Sequence, residues 1–399
     1  MFTSDGKIPA AEVDDRIRRL QVHLEELGVD GALILQKADL YYYAGTVQDA
    51  YLYIPREGAP LLMARKDRDR AAAESPITGV VAIKNPKQIP ETIQKNGYAP
   101  PRRLGMELDV LPASLYLAYQ RMFDGSTIQD VSHPIRLTRM VKSAYELQIL
   151  REAGRRADEV YAGIGDLVRE GIPEVELAGL VEARARKFGH QGTVRMRLWG
   201  SEMFYGHLMA GPAAAVPSFL ASPTGGEGTS PAIGQSAGFR PISPGEPIIV
   251  DYPFAFHGYI ADQTRIFALG KVSDEWLRAQ AAMIEVQTML RETARPGVLA
   301  GELYDMAVAR ADALGYGDHF MGAGPERIRF VGHGTGLELD EYPFIAQGQK
   351  VTLEAGMCIA LEPKLIFPGR GVTGIENTHI VTADGLEPLT TFEENIVLV

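Results

Sequence analysis

Cysteine is almost missing from this 399-residue chain: Cys358 stands alone. A single thiol excludes an intramolecular disulfide and a cysteine-rich zinc site, and it fits a reducing compartment. Surplus positive charge is missing too. Lys and Arg number 40 against 51 Asp and Glu, a formal net charge of -11. That balance argues against nonspecific nucleic-acid binding, which needs basic surface to displace counterions from phosphates. No apolar run approaches the roughly eighteen residues of a membrane span, and the N-terminal "MFTSDGKIPAAEVDDR" has no apolar signal-peptide core. No membrane partner and a cytoplasmic location are the expectations. A Gly-rich phosphate loop after a strand is also lacking in the first third, so no nucleotide site is expected there.

What is present is globular. Hydrophobic residues make up 46% and charged residues 23%, which excludes a disordered or fibrous chain. The length exceeds one ordinary core and predicts two domains. In the first, "AEVDDRIRRLQVHLEELG" (11–28) repeats apolar residues at helical spacing up to Gly28. It is followed by the strand-like runs "GALILQ", "AYLYIP" and "GVVAIK", with a helix candidate near 66–75. "DLYYYAG" (39–45) is read as a strand, with Tyr41 and Tyr43 on one face, serving packing or a dimer surface. Alternating strands and helices predict an α/β domain over 1–138.

The second domain, 139–399, opens on "SAYELQILREAGRRADEVYAGIGDLVREG", where Ser143 and Glu146 make a capping box. Further helices are predicted over 273–293 and 301–313, with strand pairs around them, so this domain is α+β. Residues 211–247 are dominated by Gly, Pro, Ser and Ala. A loop of that length is either a functional cover or disordered.

Two carboxylates interrupt the run "IIVDYPFAFHGYIADQTR" (248–265): Asp251 and Asp262. A hairpin turning between Phe256 and His257 sets them directly opposite. Like charges there, with Cβ atoms about 5 Å apart, are destabilising. A shared proton, an arginine or a bound cation must offset the repulsion. Arg265 lies an odd number of residues from Asp262 and points to the other face. Downstream, His333 sits in "GHGTG", Glu362 follows the apolar strand "MCIAL", and Glu376 lies beyond the turn "FPGRG". A second hairpin centred on Gly369 brings Glu362 and Glu376 together. Four carboxylates and one imidazole suit a pair of divalent cations with mostly oxygen ligands: Mn, Co, Fe or Zn.

The order of these five residues, with "VKSAYELQILREAG", "GYIADQTRIF" and "PGVLAGELYDMA", resembles the pita-bread metallopeptidases, the group of methionine aminopeptidase, aminopeptidase P, prolidase and creatinase. The resemblance implies a creatinase-like α/β N-terminal domain, which often helps form a homodimer, and an α+β pita-bread C-terminal domain. It carries Asp251, Asp262, His333, Glu362 and Glu376 over as ligands of two metal ions. It also makes Glu362 the general base toward water held between them.

Departures from the pattern fall on substrate groups. The histidine expected about seventeen residues before the first aspartate is Gly234 by direct count, or Ser218 in the better local match "GPAAAVPSF". Asp340 stands for a second histidine, Gly374 for an arginine two before the last glutamate, and Pro253 for a glycine. Losing one donor to a tetrahedral intermediate costs about 2.7 to 4 kcal/mol. His207 in "FYGHLM" is a candidate replacement, its other reading being a packed or surface histidine. Asp340 is a candidate acceptor for a cationic substrate group, its other reading a solvated loop residue. Three functions follow: a dinuclear hydrolase of small peptides or amides resembling Xaa-Pro aminopeptidase and prolidase, a creatinase-like C-N hydrolase or metal-dependent lyase of the same fold, and a non-catalytic binding protein. Complete ligands speak against the third.

Overall fold

The computed structural model describes residues 6–203 and 205–399. Residues 1–5 of the N-terminal stretch, and Phe204 in "FYGHLM", lie outside the described residues. The chain divides into two compact units, Met1–Arg139 and Met140–Val399.

The first unit is a six-stranded mixed sheet. Its order is Val81–Ala82, Leu61–Ala64, Ala50–Pro55, Gly31–Ile34, Arg103–Met106 and Thr127–Asp130. Helix Ala10–Glu26 buries Val13, Ile17, Leu20 and Leu24, the spacing legible in its sequence, and Gly28 beyond it takes φ 63. Leu33, Tyr53, Met63, Leu104 and Met106 come from four strands and share one core with Tyr119 and Phe123. One element differs from expectation: Lys37–Ala44 is a helix, not a strand. Gln36 accepts a hydrogen bond from the Asp39 N–H at its start, and Gly45 closes it in the left-handed conformation. Those two caps outweigh the β preference of three tyrosines. Consequently Tyr42 and Tyr43 are both buried, their rings 4.9 Å apart edge to face.

In the second unit a nine-stranded sheet runs Glu341–Ala346, Phe330–Gly334, Cys358–Leu361, Glu376–Thr382, Gln263–Ala268, Ile248–Asp251 and His207–Ala210. Gly385–Pro388 and Val397–Leu398 attach beside it. Two ribbons stand off this sheet, Phe254–Phe256 with Tyr259–Ala261 and Lys364–Phe367 with Gly371–Gly374. Helix Ala144–Tyr161 carries the predicted capping box, and the Glu146 carboxylate also accepts the Tyr259 hydroxyl at 3.0 Å. It is shorter than its periodicity suggested, because Gly163 and Gly165 follow and the chain tightens into a 3-10 turn at Gly165–Leu167. Helices Asp274–Thr293 and Ala300–Ala313 form where the spacing placed them.

Residues 211–247 begin with the 3-10 segment Gly211–Ala215 and carry no further helix or strand, only the bridge Pro173↔Pro241. Internal bonds such as Gly226 N–H to Val216 O (2.9 Å) and Ser236 N–H to Gly225 O (2.8 Å) shape the stretch. No helix among the described residues is long and apolar enough to cross a membrane.

The hairpin register also needs correction. Tyr259 pairs with Phe256 and Thr264 with Asp251, so the turn is His257–Gly258 and Asp251 does not face Asp262 directly. His257 at φ 47 and Gly258 at φ 89 supply the two positive φ values of a two-residue turn whose twist matches the strands. Asp262 lies two residues from Thr264, hence on the same face and diagonal to Asp251.

Candidate metal centre

A single row of partners crosses four strands: His207 pairs with Asp251, Asp251 with Thr264, and Thr264 with Glu376. Pairing of Leu361 with Asn377 and of Lys364 with Gly374 sets Glu362 against Glu376 in the gap between. His333 enters from Phe330–Gly334, paired with Ala360. The β-pleat therefore gathers all five residues predicted as ligands, Asp251, Asp262, His333, Glu362 and Glu376, on one cavity wall.

The donor atoms divide into two groups. His333 Nε2 lies 3.8 Å from Asp262 Oδ2, 3.7 Å from Glu362 Oε1 and 3.8 Å from Glu376 Oε1. Ligand atoms of Asp262, His333 and Glu376 all fall within 4.8 Å of one another, close enough for one cation to draw them in with small side-chain shifts. Glu376 Oε1 is buried without a hydrogen-bond partner. A buried carboxylate oxygen left so is costly, and a cation there would satisfy it. These residues fit a divalent ion.

The other group is centred on Lys364, which sequence reasoning passed over. Its Nζ donates to Asp251 Oδ2 at 3.0 Å, Glu362 Oε2 at 2.8 Å and Glu376 Oε2 at 3.0 Å. The side chain is 1% exposed. Thr264 Oγ1 donates to the same Glu376 oxygen at 2.8 Å. A signal existed: Lys364 is two residues from Glu362 and so shares its face.

Electrostatics follow the division. Burial together with Glu376 and Asp251 holds Asp262 well above the ordinary carboxylate range. Burial with the Glu362 and Asp251 charges pushes Glu376 up to about 7 despite the Lys364 ammonium. Asp251 goes the other way: burial would raise it, but Lys364 and His207 draw it below its usual value. Burial would lower His333, yet Glu362, Asp340 and Glu376 raise it.

Of the substrate candidates, His207 and Asp340 line the cavity and Ser218 does not. The Ser218 hydroxyl turns back to accept the Leu220 N–H at 3.2 Å, and Leu220, Ala221, Ser222 and Pro223 line the cavity in its place. Gly234 lies in a turn at φ 60, outside the lining. His207 is buried, its Nδ1 3.1 Å from Thr224 Oγ1 and its Nε2 3.4 Å from Gln235 Oε1. Burial lowers its pKa, so the imidazole is neutral at pH 7. Met196, Leu198, Met203 and Leu339 supply apolar wall.

Behind the wall, the Tyr161 hydroxyl accepts the Tyr252 N–H at 2.9 Å and reaches the carbonyls of Val250 (3.2 Å) and Gln263. Arg265 points away from the carboxylates, to Phe392 O and Asn377 Oδ1.

Comparison with known proteins identifies the family. The family model of the Creatinase/Prolidase N-terminal domain matches residues 16–141, and that of Metallopeptidase family M24 matches residues 148–383. The chain is 26% identical over 387 residues to an Xaa-Pro dipeptidase of Pyrococcus furiosus, covering 96% of this chain and 99% of that protein. It is 26% identical over 385 residues to an Xaa-Pro dipeptidase of Lactobacillus delbrueckii subsp. lactis, covering 93% and 95%. In fold it is similar to an Xaa-Pro dipeptidase from Bacillus anthracis (TM-score 0.83, 24% identity, 97% and 100% covered). It is likewise similar to the prolidase from Pyrococcus horikoshii OT3 (TM-score 0.79, 24% identity, 95% and 99% covered). With a creatinase-type N-terminal domain ahead of a pita-bread C-terminal domain, the chain belongs to metallopeptidase family M24 and is a hydrolase of that family.

Proposed function

We propose that this protein is a metal-dependent hydrolase of small peptides of the Xaa-Pro type, with Glu362 as general base. The observation that carries the proposal is the convergence of Asp262, His333 and Glu376 around an unpartnered buried Glu376 oxygen, beside Glu362 and in an open cavity. A divalent ion bound there (Mn, Co, Fe or Zn) supplies Lewis acidity, acidifying water and polarising a carbonyl.

The chain's own groups do the rest. Glu362 has its Oε2 fixed by Lys364 and its Oε1 turned toward His333. It takes a proton from the attacking water and passes it to the departing amine nitrogen, a role its fixed orientation suits. His207, neutral and beside Asp251, donates to the substrate carbonyl by exchanging the long 3.4 Å contact of its Nε2 with Gln235 Oε1 for the substrate oxygen. Asp340 receives the substrate's free ammonium at the cavity wall. The apolar wall of Met196, Leu198, Met203 and Leu339 takes the side chains.

A second reading, a non-peptidase C-N hydrolase or lyase acting on a small molecule, draws on one observation. Gly374 stands where proline-specific relatives resembling this chain carry arginine, so that position has no cationic side chain for a peptide carboxylate. The deciding experiment assays protein loaded with Mn, Co, Fe or Zn against Xaa-Pro dipeptides, longer Xaa-Pro peptides and creatine. Dipeptide turnover abolished by chelator supports the first reading. Bound metal without any peptide turnover moves the assignment to the second.

A further inference from the structure

Glu362 and Glu376 each turn one oxygen to Lys364 and the other toward His333. One oxygen of each accepts from Lys364, at 2.8 and 3.0 Å. The other oxygen of each lies within 3.8 Å of His333 Nε2, where an ion is wanted. Bridging carboxylates between two metal ions divide in the same way. In this chain an ammonium stands at one end of the bridge.

We propose that Lys364 is a permanent cation of the centre, and that the protein consequently binds one divalent ion per chain, on the His333 side, where the five-ligand set would by itself suit two.

Three observations support the assignment. An ammonium has three donors, and Lys364 directs them at three carboxylates, Asp251, Glu362 and Glu376, so the group is saturated where it lies. Its backbone is held on both sides by Met321, whose N–H donates to Lys364 O at 2.9 Å and whose sulfur lies 3.4 Å from Lys364 N. The register places Gly374 opposite, and a Cβ there would meet Lys364 Cα at 2.7 Å and Cγ at 2.9 Å, so the glycine leaves the lysine its path. A second divalent ion would have to take the same Asp251 and Glu376 oxygens from the Lys364 ammonium, and like charges a few ångströms apart repel strongly in a water-poor wall. Asp251, a ligand candidate by sequence, becomes on this account the counter-ion of Lys364.

The inference rests on the reading of Asp262, His333 and Glu376 as a metal site, and its test is independent of turnover. Full-length protein is equilibrated with excess Mn(II), freed of unbound ion, and its metal content measured by plasma mass spectrometry beside its electron paramagnetic resonance spectrum. Wild type should hold about one manganese per chain with the spectrum of an isolated ion, and Lys364→Met should hold about two. Two ions per wild-type chain, or an exchange-coupled spectrum, would overturn the role given to Lys364 and leave the metal site standing. A folded Lys364→Met protein that still binds one would also overturn it. No manganese at all would remove both this inference and the metal site beneath it. Should the variant not fold, the wild-type ratio and spectrum decide by themselves.

Discussion

Lys364 and Gly374 face each other across the ribbon that flanks the metal centre, and the glycine has no side chain because the lysine passes over it. A methyl group at 374 would lie 2.6 Å from Pro363 O as well as against the lysine stem, on a backbone at φ 156. Gly374→Ala should therefore destabilise the protein by about 1–3 kcal/mol, the range for overpacking a filled site. A urea midpoint shifted down at constant slope would show it. An unchanged midpoint would mean that the ribbon opens readily and does not fix Lys364.

Metal should stabilise the folded chain, because His333 and its neighbours are gathered only there. An ion at a hundred times its dissociation constant adds about 2.7 kcal/mol, which for a chain of this size raises the melting temperature by a few degrees. Chelator should remove the gain. His333→Ala, taking away the imidazole nitrogen beside Asp262 Oδ2 and Glu376 Oε1, should abolish the metal-dependent shift while the metal-free melting temperature changes little. A shift that survives the substitution would place the ion elsewhere.

Glu362→Gln keeps the shape of the side chain but cannot accept a proton. Turnover should fall by about 10² to 10⁴, the usual contribution of a positioned general base, chiefly in kcat. Lys364 also loses a charged partner, so the melting temperature should be read alongside. Activity at the wild-type level in a folded variant would remove Glu362 as the base.

Stability should depend on acid through His379, which is buried between strands with burial holding its pKa down to about 3. The unfolded histidine titrates near 6.5, so below that pH the unfolded state takes up a proton that the native state refuses. Stability from this group is complete above about 6.5 and is lost as pH falls toward 3, by about 1.4 kcal/mol per unit. His379→Gln should lose less stability than wild type over that window. The check is the difference in unfolding free energy between the two proteins at several pH values. A difference independent of pH would show that His379 is protonated in the fold.

Much of the site was legible because its chemistry follows the pleat. Asp251, Asp262, Glu362 and Glu376 stand out as carboxylates in or beside apolar strands and His333 in its glycine run, the family resemblance joins the five, and Arg265 falls on the far face by parity alone, where it meets Phe392 and Asn377. The turn was misplaced by one residue because His257 at φ 47 is a conformation that no residue pattern announces. Lys364 was missed for a different reason. Four carboxylates imply a bound cation by their charge, and the chain itself carries one two residues from Glu362. Tyr41 to Tyr43 were read as a strand because seven residues are too few to separate the two periods, and the caps Gln36 and Gly45 decided the outcome.

Tyr161 gives the last test, of how the wall is held. Its hydroxyl accepts the Tyr252 N–H and meets the carbonyls of Val250 and Gln263, so it ties the residues on either side of Asp251 to the one after Asp262. Tyr161→Phe removes these buried hydrogen bonds, although the Tyr252 N–H keeps the Gln263 carbonyl at 3.1 Å, at a cost of about 1–3 kcal/mol. A purely structural role would end there. If the hydroxyl sets the spacing of the two aspartates, metal affinity should fall as well, by about 10 to 100-fold, as for other groups that orient ligands without touching the ion. Isothermal titration of the folded variant with Mn(II) separates the two outcomes: lowered stability with unaltered affinity would confine Tyr161 to packing, whereas loss of both would make it a positioning residue of the centre.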